Sequence, residues 1–481
     1  MSTFTTRTLT TKSTPANDSD AGSITWDGPD DSGNPFNFSH AKKWRVTLLA
    51  CFMTFVIQMN GTSMTSAAEQ INESFQVSDE SFPHSYWPII YAVLIIFLIP
   101  QAVAQNFATL IVTRIFTGGC SATLANITGG ILSDIWRDGR AKSFGTSLFI
   151  WGLLAGLNMG PVIGSVIVHY TTWRWIFYSQ IAFYSAMFPI LYFGLPEVRP
   201  DVILTQRARN LRKATKFSVY AEAEKQHINI GEILRQTVVR PTKMLCTEAV
   251  VFSFGMWSAF CVGTAYMFTQ SIVQVYAALY GWTYYPTGLI QCALVVGEII
   301  GLIASLGQDE LYFRSARKNT EEPGAPIPEA RLYLSIPASF VGLAGGLFYF
   351  AWTSYSSIAW IVPTIALGLV GFGMFCSVTA VTTYILDAYA KYAASAIAGA
   401  AFLENILAAF LPLATQSMYR GLGFHWASSL LGFLALGLSF VPVVLFMFGR
   451  NIRKKSPFMR ESVYNYDEVA VGDLECGVFH A

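Results

Sequence analysis

Charge is what this chain has least of. Only 13% of its 481 residues are Asp, Glu, Lys or Arg, where a soluble domain carries roughly 25%. Lys and Arg number 31 against 30 acids, a formal net charge of +1, so no bulk field recruits nucleic acid or an acidic partner. No Gly-x-x-x-x-Gly-Lys-Ser/Thr occurs, which removes that phosphate cradle for ATP. No metal, nucleophile or cofactor constellation in a polar pocket is found, so neither a cofactor nor an enzyme is expected. Of the seven cysteines, Cys51, Cys120, Cys246, Cys261, Cys292 and Cys376 lie in apolar runs and only Cys476 does not. They read as small hydrophobes rather than a disulfide framework. Residues 1–40 lack the apolar core of a signal peptide, and their Ser, Thr, Pro and Asp predict a disordered tail.

Apolar sequence fills the space that charge leaves. Hydrophobic residues make up 53% of the chain and mean hydropathy is +0.43. Runs of this kind, each able to cross a hydrocarbon core of ~30 Å, predict an all-α polytopic membrane protein. Its expected parts are a cytoplasmic tail over 1–43, a helical bundle over 44–195, a cytoplasmic loop over 196–243, a second bundle over 244–449 and a cytoplasmic tail over 450–481. Basic residues set the sidedness. Lys42, Lys43 and Arg45 precede the first run, Val46 to about Ala68. The stretch from Glu197 to Lys243 carries ten Lys or Arg against five acids. Arg450, Arg453, Lys454 and Lys455 hold the last tail inside. Between these, runs centred near 258, 295, 343, 372, 405 and 438 lead from inside to inside.

The first half does not close in the same way. The stretch from Glu69 to Tyr86 holds Glu69, Glu73, Asp79 and Glu80 with no Lys or Arg, so it is expected outside, with Asn72 in the one sequon open to glycosylation. Arg137, Arg140 and Lys142 belong inside. An odd number of crossings must join the two, yet residues 87–133 have room for only two spans.

The next apolar stretch carries Gly152, Gly156, Gly160 and Gly164, four residues apart. On a helix they form one shallow stripe that lets a second membrane helix approach closely. Pro161 sits inside the run, where a soluble helix would break but neighbouring membrane helices can satisfy the freed carbonyl. Ordinary helix packing explains any single Gly-x-x-x-Gly; four in register with a proline are more specific.

Gly156, Gly160, Pro161 and Gly164 resemble the antiporter motif in the fifth helix of major facilitator superfamily drug/proton antiporters, with Ser165 where the motif has a final glycine. Arg114 followed by Gly118 is similar to the family's fourth-helix arginine motif. Trp26-Asp27-Gly28-Pro29-Asp30-Asp31, Trp173-Arg174-Trp175-Ile176-Phe177, Pro328-Glu329-Ala330-Arg331-Leu332 and Tyr389-Ala390-Lys391-Tyr392 look like segments of the fungal members. The resemblance implies a major facilitator fold of two helical bundles. It also offers a cause for the failed parity. Residues from Ile95 to Asn106 look like the family's third helix, so the second helix and its cytoplasmic loop are missing. About 11 membrane helices are then expected, five before residue 200 and six after 243.

Few ionisable groups lie deep in the runs. Arg114, Glu298 and Glu404 are the candidates for proton coupling, because an ionisable group at membrane depth is expensive and a buried carboxyl can load and release a proton. The bland readings are a snorkelling or structurally paired Arg114 and a Glu298 bonded to a neighbouring helix. Glu404-Asn405 departs from the Arg-Ser more common in the family at this place. Glu248 and Asp387 read as solvated acids at cytoplasmic helix ends. Asn126, Asn158, Tyr266, Gln270, Gln291, Tyr384 and Asn405, with Gln58, lie at mid-span on different helices. Each alone is more often glue between helices; together they fit a substrate site near the bilayer midplane.

The resemblance thus implies a proton-coupled efflux transporter of a fungal plasma membrane, exporting a secondary metabolite, an organic acid or a drug. Its partners would be the lipid bilayer, its small-molecule substrate and protons, and it would work as a monomer. An uptake or facilitated carrier, or a non-transporting or inactive truncated membrane protein, stays open as an alternative.

Overall fold

The structure, a computed structural model, describes residues 23–28, 31–63, 87–137, 139–215, 220–221, 224, 235–319 and 326–461. Helices dominate it. The first half contributes α1 (His40–Ser63), α2 (Trp87–Ala102), α3 (Phe107–Ile135), α4 (Arg140–Tyr170) and α5 (Arg174–Gly194). The amphipathic α6 (Pro200–Thr215) follows in the polar stretch between the halves. The second half contributes α7 (Ala249–Tyr280), a short turn of helix at Tyr284–Leu289 leading into α8 (Cys292–Ser315), a composite helical stretch α9 (Pro328–Thr353) and α10 (Ile361–Tyr389). It ends with α11 (Ala393–Leu438) and α12 (Phe440–Lys455). The only described strands are Ser23–Ile24 and Tyr220–Ala221, which pair in parallel.

Among the described residues, seven helical stretches are long and apolar enough to cross a membrane. The last of them, Ile361–Lys455, spans 95 residues and is three passes, not one. It bends at Ala390, with φ 28°, and at Gly423, with φ 78° and ψ 163°. Glycine meets that second geometry without the Cβ clash another residue would suffer. Divided at these bends, and with α1 and the shorter α2 added, the described residues hold five helices before 200 and six after 243.

The parity conflict has a structural counterpart. Helices α1 and α2 are consecutive among the described elements, yet they run parallel. Near the end of α1 the Gly61 carbonyl accepts Arg114 Nη2 at 2.7 Å, and Arg114 lies in the second turn of α3. The end of α2 leads directly to Asn106, which caps that same end of α3 by accepting the Thr109 amide at 2.9 Å. Both helices therefore point the same way, as a first and third helix would with the second removed. The connection 64–86, which contains Asn72 and the acidic stretch, lies outside the described residues.

Two apolar cores result. One gathers Val46, Leu94, Ile127, Phe177 and Tyr184 from the first half. The other gathers the second half around Trp257, Phe268, Leu347 and Met374, and it also takes in Ile150, Leu154 and Leu157 of α4. Helix α4 thus belongs to both halves. Its glycine stripe is spent on α1: a methyl added at Gly152 would lie 3.1 Å from the Cys51 carbonyl, and one at Gly156 would overlap the Phe55 carbonyl.

The first tail is ordered over residues 24–28 and 31–38. Asn34 caps the 3-10 turn Pro35–Asn37, and Lys43 Nζ donates to the Phe36 carbonyl at 2.9 Å. Asp31, its side chain only 4% exposed, pairs with Arg207 of α6. Trp26 stacks on the same guanidinium.

Candidate functional site

The two halves meet along α4 and α8, and polar chemistry marks that seam at three heights. At the end where α4 begins, Arg331 Nη1 donates to Ser143 Oγ at 2.6 Å and lies 3.1 Å from Asp309 Oδ1. The Ser143 hydroxyl donates onward to Asp309 at 2.5 Å. Arg331 Nε donates to Asp387 Oδ2 at 2.8 Å, and its guanidinium sits 3.5 Å over the Tyr312 ring. A buried cation faces two carboxylates here, and breaking such a cluster on one side leaves an uncompensated charge.

At mid-height Asn158 of α4 donates through Nδ2 to Glu298 Oε1 of α8 at 2.6 Å. Both residues are fully buried. The other oxygens of the pair, Asn158 Oδ1 and Glu298 Oε2, are buried without a hydrogen-bond partner among the described residues. A polar group left in that condition costs about 1–3 kcal/mol, so the pair holds unused bonding capacity at the contact between the halves. Gln291, just before α8, is in the same state: it is fully buried and both amide atoms are unpartnered among the described residues.

At the end where α4 stops, the short helix Tyr284–Leu289 lies on it. A methyl added at Gly288 would overlap Ser165 and lie 3.3 Å from the Pro161 carbonyl. His169 stacks on Tyr285 with ring centroids 4.7 Å apart. Gly156, Gly160, Pro161 and Gly164 are all buried. The motif helix therefore faces α1 with Gly152 and Gly156, and faces the other half around Pro161 and Ser165.

Of the sequence-derived site residues, Asn158 and Glu298 are brought together by a direct hydrogen bond. Glu404 accepts the Ser258 hydroxyl, joining α11 to α7. Its neighbour Asn405 is exposed, as is Asn126 on α3. Arg114 is half-buried and bonds a backbone carbonyl, not either candidate carboxylate. Tyr266 and Gln270 are half-buried on α7. Tyr384 is buried against Phe254, at 5.1 Å between centroids, with its hydroxyl unpartnered among the described residues. The cavity beside the Arg331 cluster is lined by Ser147, Gln308, Asp309, Thr379 and Thr383 among others, and by none of these predicted contacts.

Two acids read as solvated are not. Asp387 is tied to Arg331, and Glu248, only 5% exposed, accepts Tyr389 Oη at 3.1 Å and Ser456 Oγ at 2.7 Å. A helix-end position suggests water, but the partners arrive from 56, 141 and 208 residues away. The available signal for Arg331 was the Pro328-Glu329-Ala330-Arg331-Leu332 segment itself.

Two bundles are joined along one glycine-proline helix, with polar contacts along the seam between them. Residues 86–412 match the family model of the major facilitator superfamily. The chain belongs to the major facilitator superfamily. It is 31% identical over 464 residues to the transporter cpaT of Aspergillus oryzae, covering 90% of this chain and 92% of that one. A multidrug transporter of Candida glabrata is 29% identical, covering 90% and 80%. The citrinin biosynthesis cluster transporter of Monascus ruber is 30% identical, covering 90% and 92%. Among solved structures, the proton:xylose symporter XylE shares the fold with a TM-score of 0.58 at 13% identity, covering 85% of this chain and 96% of that one. This facilitator is therefore a multi-pass membrane transporter.

Proposed function

We propose that the protein is a proton-coupled efflux carrier of the plasma membrane, working as a monomer. The observation that carries this reading is the Asn158–Glu298 pair, buried at mid-height where the halves touch. Ionised, Glu298 accepts one bond from Asn158. Protonated, it gains an O–H donor, and the unpartnered Asn158 Oδ1 is an acceptor on the same side chain. One proton thus changes how many bonds hold α4 to α8, and rocking of one bundle against the other is how such carriers alternate access. Glu404, bonded to Ser258, is the second acid in this reading. Arg114 at the α1–α3 contact is the cation.

Export is supported by the antiporter-like Gly156-Gly160-Pro161-Gly164 helix and by relatives described as a multidrug transporter and a biosynthetic-cluster transporter. A secondary metabolite, an organic acid or a drug fits those relatives. Tyr266, Gln270, Gln291, Tyr384, Asn126, Asn158 and Asn405 are the proposed contacts for it.

The test uses proteoliposomes with an imposed pH gradient, scoring accumulation of a candidate solute separately from solute exchange at equal pH. Glu298→Gln should abolish gradient-driven accumulation while exchange continues. Accumulation at the wild-type level in Glu298→Gln would sink the coupling role.

A further inference from the structure

At the rim of the seam where α4 begins, two arginines hold one carboxylate and a third lines the same crevice. Arg140, the first residue of α4, places Nη2 2.8 Å from Glu310 Oε2. Arg314, one turn further along α8, places Nε 2.9 Å from the other oxygen of the same carboxylate. Arg317 lines the same crevice with Phe313 and makes no ion pair among the described residues. The crevice carries a surplus of positive charge, and its cations come from both halves of the molecule.

Ordinary stability does not call for this arrangement. The Arg140 and Arg314 side chains are 69% and 67% exposed, and exposed ion pairs contribute at most about 1 kcal/mol. Cations do favour the C-terminal end of a helix, which suits Arg314 in the last turn of α8 and Arg317 just beyond it but not Arg140 at the start of α4.

What lies along α8 before the arginines identifies the ligand. Ile300, Ile303 and Leu306 form an exposed apolar line, with Ile303 63% exposed. At three- and four-residue spacing these side chains share one helix face, and Glu310 and Arg314 continue it. Apolar side chains that end in guanidinium groups at the inner rim match a lipid: acyl chain against the isoleucines, phosphate among the arginines. Arg presents its donors in a fork suited to phosphate oxygens, and the cytoplasmic leaflet carries anionic headgroups.

We infer that the crevice of Arg140, Arg314 and Arg317 at the α4–α8 rim is a seat for the phosphate headgroup of an anionic phospholipid of the cytoplasmic leaflet. Such a lipid bridges the two halves on the side that the Arg331 cluster already joins. It therefore favours the arrangement in which the cytoplasmic ends are together. Glu310 competes with the phosphate for two of the three arginines.

The test is lipid retention by the full-length protein, read by native mass spectrometry with short-chain phosphatidylglycerol, short-chain phosphatidylcholine and inorganic phosphate as probes. Phosphatidylglycerol should be retained and phosphatidylcholine should not. Arg314→Gln with Arg317→Gln should weaken retention about thirty-fold, from the loss of two surface-type cation contacts. Glu310→Gln should tighten it, an outcome that a purely structural role for the arginines does not give. Thermal unfolding in phosphatidylcholine reports whether each variant is folded, and Arg317→Lys should keep most of the affinity. Equal retention of both lipids, unchanged affinity in the double variant, or loss of Glu310→Gln tightening would each overturn the seat. Displacement of phosphatidylglycerol by inorganic phosphate at matched concentration would assign the crevice to a soluble anion and overturn the lipid.

Discussion

Asp31 and Arg207 face each other fork to fork across 176 residues of sequence. Arg207 Nη1 lies 2.5 Å from one carboxylate oxygen and Nη2 lies 2.8 Å from the other. The pair fastens the first tail to α6, with the strands Ser23–Ile24 and Tyr220–Ala221 pairing nearby. The Arg207 guanidinium, and to a smaller degree the Gly33 and Asp27 amides, hold the Asp31 carboxyl well below its usual 3.8. A depressed folded value means the stabilisation is complete above the ordinary Asp range and is lost only as pH falls through the depressed value. Between about pH 5 and 8 the clasp should therefore contribute a constant amount. Arg207→Ala should expose the tail to proteolysis equally at all pH values in that window, at a cost of about 2 kcal/mol. A protection that fades as pH falls from 7 to 5 in the wild type would contradict the sign.

The Arg331 cluster should be the most sensitive charged site in the cytoplasmic half. Arg331→Ala removes the shared partner of Asp309, Asp387 and Ser143 and should cost about 3–5 kcal/mol. Asp387→Asn keeps the shape and should cost less than half of that. Thermal unfolding in a fixed lipid or detergent gives the order, and equal losses in the two variants would show that Arg331 is not the hub.

Gly156 and Gly160 should respond differently to enlargement. A methyl at Gly156 meets the α1 backbone at Phe55, which has no rotamer to yield, so Gly156→Ala should lower stability by about 1–3 kcal/mol. Gly160→Leu and Pro161→Ala act at the part of α4 that faces the other half. Both should reach the membrane, lose solute export and keep or raise proton leak, measured as separate fluxes in proteoliposomes. Wild-type export in both would refute the gating role.

Asn158→Leu strips Glu298 of its one hydrogen bond and leaves a buried carboxyl alone. The expected loss is about 1–3 kcal/mol. Combining it with Glu298→Leu should recover part of that loss, since replacing both members of a buried pair with apolar groups is often near neutral. A double-mutant cycle by thermal unfolding measures the recovery, and strict additivity would mean that the contact carries no coupling energy.

Much of this was legible in the sequence because a membrane imposes it. Apolar length and the glycine stripe each follow from the bilayer as solvent, and they located the helices and the helix whose glycines another helix packs against. Asn158 and Glu298 were each singled out, but nothing periodic links residues 140 positions apart, so their bond was not. Asp387 and Glu248 were misread for the same reason, their partners being distant in sequence. The Asp31–Arg207 clasp was hidden by composition: a Ser- and Thr-rich tail reads as solvated even where one carboxylate is fastened.

The shared direction of α1 and α2 bears on how the chain enters a membrane at all. Residues 64–86 contain no Lys or Arg, so α2 has no basic flank of its own to retain its leading end in the cytoplasm. The nearest such residues are Arg137, Arg140 and Lys142, beyond α3. Orientation of α2 must then be inherited from its hairpin with α3 and fixed only after that later segment has been synthesised. During translation α1, with Lys42, Lys43 and Arg45 in its first turns, would be in place before the direction of α2 is decided. Insertion of this protein is therefore a retrospective process, with the third helix settling the second.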